Sequence, residues 1–128
     1  MSKTVIHSDA APKAIGPYSQ AIKVGRTVYM SGQVPLNPET GELVSNDLDA
    51  EIRQIFKNLT AVANAAGGSL GDAVRLGVYL TDLGDFAVLN ALMAEFVPQP
   101  FPARSTIQVA ALPRGARVEI DAVLELSN

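Results

Sequence analysis

The stretch Val118–Leu126, VEIDAVLEL, alternates without a break. Val118, Ile120, Ala122, Leu124 and Leu126 fall on one side of an extended chain, and Glu119, Asp121, Val123 and Glu125 on the other. A period of two sustained this long describes a strand with one face in a core and one face outside it. Such a strand is not stable alone, because its apolar side needs a covering layer. The rest of the chain supplies one.

Two segments have helical spacing. From Asp47 onward, Leu48, Ile52, Ile55, Phe56, Leu59, Val62, Ala63 and Ala66 make one buried stripe. Asp47, Asp49 and Glu51 complement the helix dipole at its start, and Gly67-Gly68 ends it. A second helix is predicted from about Asp85, with Phe86, Leu89, Met93 and Phe96 on one face, stopped by PQPFP at Pro98–Pro102. Between the helices, Val74, Leu76, Val78 and Leu80 alternate with Arg75, Gly77, Tyr79 and Thr81 as a further strand. Upstream, TVIHS (Thr4–Ser8), QAIKV and TVYMSGQV read as strands, the last two joined by a type II′ turn at Gly25-Arg26. PLNPETGEL is a loop. Downstream, Pro102–Leu126 reads as a two-strand hairpin turning near Arg114. The order predicts an α+β domain, residues 1–128, with one mixed sheet and both helices on one face. With 48% hydrophobic residues but only 5% aromatic ones, its core is aliphatic.

The same composition excludes several chemistries. A net charge of -3 argues against non-specific nucleic-acid binding, which needs a positive footprint. No cysteine is present, so thiol catalysis, disulfides and thiolate metal sites are out. His7 is the single histidine and no carboxylate cluster has ligand spacing, so no metal is expected and His7 reads as a surface residue. No apolar run has the length of a signal-peptide core or of a membrane span, which predicts a soluble, cytoplasmic protein without a membrane partner.

Arg104 opens a strand on which Thr106 and Gln108 point the same way, and an arginine fork there suits a carboxylate. Each candidate also has a plain structural reading. Arg104 and Glu119 are equally ordinary surface charges, Tyr18 a turn-packing aromatic, Ser31 and Gly32 a strand end, and Asn90 an exposed helix residue.

The combination is more specific than its parts. GPYSQA at Gly16–Ala21, SGQ at Ser31–Gln33, DFAVLNA at Asp85–Ala91, and PARS with LPRGARVEI near the end closely resemble the RidA subgroup of the Rid (YjgF) family. The resemblance runs essentially end to end. It implies a chorismate-mutase-like α+β fold, a homotrimer, and hydrolysis of 2-imino acids such as 2-iminopropanoate and 2-iminobutanoate to 2-keto acids and ammonia, without a cofactor. By the same resemblance Arg104 binds the substrate carboxylate and Glu119 activates water. Tyr18, Ser31, Gly32 and Asn90 resemble the rest of the pocket, with a backbone N–H at Thr106. Many relatives carry Cys where this chain has Thr106, and the Asn90–Arg104 connection is shorter here.

The predicted hairpin has a consequence for that site. With the turn near Arg114, Glu119 falls opposite a residue near Val109, and Arg104 lies on the order of 16 Å away along the sheet. A four-carbon imino acid cannot touch both, so the site is expected between subunits. A trimer that binds 2-keto or 2-amino acids without turnover is the alternative. A ribonuclease or translation inhibitor fits the acidic balance and single histidine poorly, and no broad apolar patch marks a chaperone.

Overall fold

The computed structural model describes residues 2–45 and 47–127. Six strands form one sheet: β1 (Thr4–Ile6), β2 (Ala21–Val24), β3 (Thr27–Gln33), β4 (Ala73–Leu80), β5 (Ala103–Gln108) and β6 (Val118–Glu125). Two helices, α1 (Leu48–Ala65) and α2 (Phe86–Phe96), complete the layer structure. The sheet order is β1-β2-β3-β6-β4-β5. All neighbouring pairs are antiparallel except β4 and β5, which are parallel and joined through α2. The expected mixed sheet with two helices is therefore found.

The alternating strand is β6, placed between β3 and β4. Val118, Ile120, Ala122 and Leu124 are buried while Glu119, Asp121 and Val123 remain half-buried on the other face. The apolar side meets α1, whose Ile52, Ile55, Phe56 and Leu59 are fully buried, and Phe56 stacks on Phe96 of α2 at 5.1 Å between ring centroids. Asp47 caps α1 by accepting the Ala50 N–H at 2.8 Å. Gly25 has φ of 60° and Arg26 keeps a negative φ, which matches the type II′ turn between β2 and β3. Among the described residues no helix is long and apolar enough to cross a membrane.

The predicted closing hairpin is not formed. β5 and β6 flank β4 on opposite sides, and the connection between them is a nine-residue excursion carrying a tight turn at Pro113–Gly115. Arg114 is the turn residue, at φ of 64°, but it redirects the chain across β4. The reason is burial. β6 buries every second residue and needs a neighbour on each side, whereas β5, ARSTIQ, is largely exposed and takes the edge. A second correction concerns α2: Leu89, Leu92 and Met93 are its buried residues, while Phe86 is 37% exposed and belongs to the surface beside Arg104.

Candidate functional site

Arg104 is registered on Leu76 of β4, and Glu119 on Tyr79 of the same strand. Leu76 points into the core and Tyr79, three residues on, points away from it. Arg104 and Glu119 therefore occupy opposite faces of the sheet, with Cα atoms about 14 Å apart by strand geometry. They line two separate clefts. The hairpin register is overturned, yet the separation it implied stands on different grounds.

The first cleft, about 450 Å³, lies between β5 and α2 and is lined by Asn90, Met93, Phe101, Pro102 and Arg104. Three contacts hold the half-buried guanidinium. Nη1 donates to Asn90 Oδ1 at 2.6 Å, the same nitrogen lies 3.5 Å from Met93 Sδ, and Cζ sits 5.1 Å from the centroid of the Phe86 ring. Asn90 follows Phe86 by one helical turn, so a single face of α2 presents both partners. The Nε and Nη2 donors have no partner among the described residues, leaving a planar fork for an anion. Thr106 shares this face of β5. It lines neither cleft, and its Oγ1 is buried without a hydrogen-bond partner among the described residues.

The second cleft, about 520 Å³, opens on the other face and brings together Tyr18, Ser31, Gly32 and Glu119 with Lys13 and Arg114. Its floor is a bulge. Between Met30 and Gln33 β3 advances three residues while β6 advances two, from Ala122 to Ile120. The extra residue re-aims Ser31-Gly32 toward Glu119. A Cβ on residue 32 would lie 2.9 Å from Glu119 Cδ and closer still to its Oε2, so the carboxylate rests where only glycine leaves room. Ser31 is already engaged: its Oγ donates to the Ser19 carbonyl at 2.6 Å, and its N–H to the Gln20 carbonyl at 3.0 Å. Buried Gln20 in turn accepts from the Ser8 N–H at 2.6 Å and donates to the carbonyls of Ser8 and Pro12 at 3.0 and 2.8 Å. These bonds tie the segment carrying Lys13 and Tyr18 to the sheet.

Burial first, and the neighbouring Asp121 charge second, push the Glu119 carboxyl above its ordinary value. Asp121 is itself held by the Gly77 N–H at 3.1 Å and the Tyr79 hydroxyl at 3.0 Å. A carboxylate with raised proton affinity beside an open cleft suits proton transfer.

Of the residues singled out from sequence, Arg104 and Asn90 meet in one cleft, and Tyr18, Ser31, Gly32 and Glu119 in the other. Sequence reasoning missed Phe86, Met93, Lys13, Arg114 and Asp121. Phe86 carries a signal, since it stands four residues before Asn90, but the same spacing also fits the core stripe. His7 pairs with Asp9 at 2.8 Å on the exposed surface.

Comparison with known proteins places this architecture. The family described as Endoribonuclease L-PSP matches residues 8–126. The chain is 50% identical over 125 residues to protein DfrA of Myxococcus xanthus, covering 96% of this chain and 95% of that protein. It is 45% identical over 122 residues to the 2-iminobutanoate/2-iminopropanoate deaminase of Dermatophagoides farinae, covering 95% of each. The crystal structure of RidA from the Antarctic bacterium Psychrobacter sp. PAMC 21119 superposes with a TM-score of 0.93 at 51% identity, over 96% of this chain and 99% of that one. The chain thus belongs to the Endoribonuclease L-PSP family, also called Rid or YjgF.

Proposed function

We propose that the protein hydrolyses 2-imino acids, 2-iminopropanoate and 2-iminobutanoate among them, to 2-keto acids and ammonia, at sites built between copies of the chain in a homotrimer. The observation that carries this reading is the division of the candidate residues. Arg104 offers an unpaired guanidinium edge in one cleft and Glu119 a carboxylate of raised proton affinity in another, on opposite faces of one sheet. Neither cleft alone holds both Arg104 and Glu119. Apposing the first cleft of one copy to the second cleft of the next would complete the set, and the relatives named as deaminases support the chemistry.

In this mechanism the Arg104 fork takes the substrate carboxylate in two parallel hydrogen bonds and fixes the imine carbon. Water adds to that carbon of the protonated imine while the C=N π electrons pass to nitrogen, and Glu119 accepts the proton the water loses. The resulting carbinolamine carries hydroxyl and amine on one carbon. Glu119 returns its proton to the amine, the C–N bond breaks as ammonia leaves, and the hydroxyl gives its proton back to Glu119 as it becomes the keto group. Tyr18 and the Ser31-Gly32 backbone line the same cleft as the base and would hold the polar atoms of the adduct, and Asn90 keeps the arginine in place. Every step uses the chain's own side chains and water.

The test is imine clearance. 2-Iminobutanoate is generated in situ by an amino-acid oxidase and the residue is trapped with semicarbazide. Wild type is expected to clear it faster than buffer, and Arg104→Ala and Glu119→Gln to abolish the difference. Clearance equal to buffer would remove the enzymatic reading.

A further inference from the structure

Two acids of β6, Glu119 and Asp121, lie on the same face two residues apart, about 7 Å along the strand. They do not lie side by side. Glu119 folds toward β3 over Gly32, and Asp121 folds the other way, toward β4, over Gly77. Both positions are glycine-dependent: a Cβ on residue 77 would fall 3.2 Å from Asp121 Cγ and 2.8 Å from the Tyr79 hydroxyl. The sheet thus has one gap for each carboxylate, on opposite sides of the strand that bears them. Only Asp121 is tied down, by the Gly77 N–H and the Tyr79 hydroxyl. Among the described residues no hydrogen-bond donor reaches Glu119.

We propose that Asp121, anchored over Gly77 by the Gly77 N–H and the Tyr79 hydroxyl, is a positioning residue for Glu119: held on the β4 side of β6, it stands as a second carboxylate two residues away while leaving the Glu119 side chain free over Gly32. This rests on the role given to Glu119 above. Splaying the pair matters because an unanchored Asp121 could swing into the space that Glu119 uses. Keeping it near matters because a like charge favours the protonated form of its neighbour.

Other charges around Glu119 do not supply this effect. Lys13, Arg114 and Tyr18 line the cleft, and the two cations would favour the ionised form instead. Arg117 turns to Glu51 on α1, and Arg75 donates to the Leu76 carbonyl and Ser105 Oγ. Tyr79 has its phenol pushed up, first by the bond to Asp121 and then by burial, so it stays a neutral donor. Burial comes first in raising the proton affinity of Glu119, and the Asp121 charge adds to it.

The test uses the assembled protein with ¹³C-labelled glutamate carboxyls, read by NMR across pH, beside the pH profile of kcat/KM for 2-iminobutanoate. Asp121→Asn keeps the shape and the acceptor for the Gly77 N–H but removes the charge. Its Glu119 titration midpoint is expected to fall, the acidic limb of kcat/KM to move to lower pH with it, and the plateau to drop about threefold. That is far short of the roughly 10²–10⁴ lost with a general base itself. Tyr79→Phe leaves the charge and removes a donor that offsets it, so its midpoint is expected to rise. Sedimentation confirms that both variants keep the wild-type assembly. An unchanged Glu119 midpoint in correctly assembled Asp121→Asn overturns the proposal. Should wild type clear no imine, the functional reading fails on that arm, while the NMR arm still decides whether Asp121 sets the proton affinity of Glu119.

Discussion

Arg104 and Glu119 are registered on the same strand, at Leu76 and Tyr79, yet project from opposite faces of the sheet. The odd spacing of their partners on β4 sends one side chain under α2 and the other to the open face. No rotamer change within one chain brings the two together, because a whole sheet stands between them. On the proposed mechanism, which uses both Arg104 and Glu119, one of the two would come from a neighbouring chain.

Gly32 is the most position-sensitive residue of the second cleft. In Gly32→Ala the new methyl collides with the Glu119 carboxylate, which must swing away from the bulge. Imine hydrolysis is expected to fall about 10–100-fold, as for a misplacement of order 1 Å at a reacting centre. Circular dichroism should show the fold retained. Unchanged kinetics would mean that Glu119 does not work from this position.

Arg104→Lys keeps the charge but not the fork. The ammonium cannot offer a carboxylate two parallel, coplanar N–H groups, and it loses the guanidinium contact with the Phe86 ring. Binding of 2-ketobutanoate, measured calorimetrically, is expected to weaken about 10–100-fold, as for the loss of a charge-assisted pair. Equal affinity in the two proteins would show that the carboxylate is held elsewhere.

Glu119 also leaves a signature in stability. Its folded value is raised, so the folded state resists ionising it, first through burial and then through Asp121. The native protein holds this proton more tightly than the unfolded chain does. Ionisation therefore costs stability as pH rises from the ordinary carboxylate range through the raised value, and nothing below that range. Glu119→Gln, which cannot ionise, is expected to have a higher Tm than wild type at neutral pH. The difference should vanish in acid. A variant less stable at neutral pH would contradict the assigned direction.

Away from both clefts, Glu51 is buried near the start of α1, and its carboxylate is met by Arg117 through Nε at 3.2 Å and through Nη2. Arg117→Ala leaves that carboxylate without its cation. Denaturant unfolding is expected to show a loss of about 2 kcal/mol, the cost of stranding a buried polar group. A loss within error of zero would mean that solvent replaces the arginine freely.

How far the sequence carried depends on whether the signal was local. The alternation of β6, the stripe of α1 and the glycine of the β2–β3 turn are written in neighbouring residues, and each appears as read. Strand order is not local. Arg114 does mark a turn, but nothing in Val109–Arg117 says that β4 will be inserted between the strands it joins. That follows from which strand buries more surface. The bulge at Ser31-Gly32 was likewise invisible, since it exists only as a mismatch with β6. Asp121 looked like one more solvent-facing acid, and its tie to Gly77 and Tyr79 depends on a neighbouring strand.

The shared site is tested most directly by mixing the two inactive variants. Arg104→Ala chains still carry Glu119, and Glu119→Gln chains still carry Arg104. After co-refolding at equal ratio, an interface between copies has an intact pair when the right variant stands on each side. Random assembly then restores about a quarter of wild-type activity in a ring of head-to-tail contacts. Recovery near that level, absent when the assembled variants are merely combined without exchange, is the predicted result. No recovery in mixed assemblies verified by native mass spectrometry would contradict a site shared between chains.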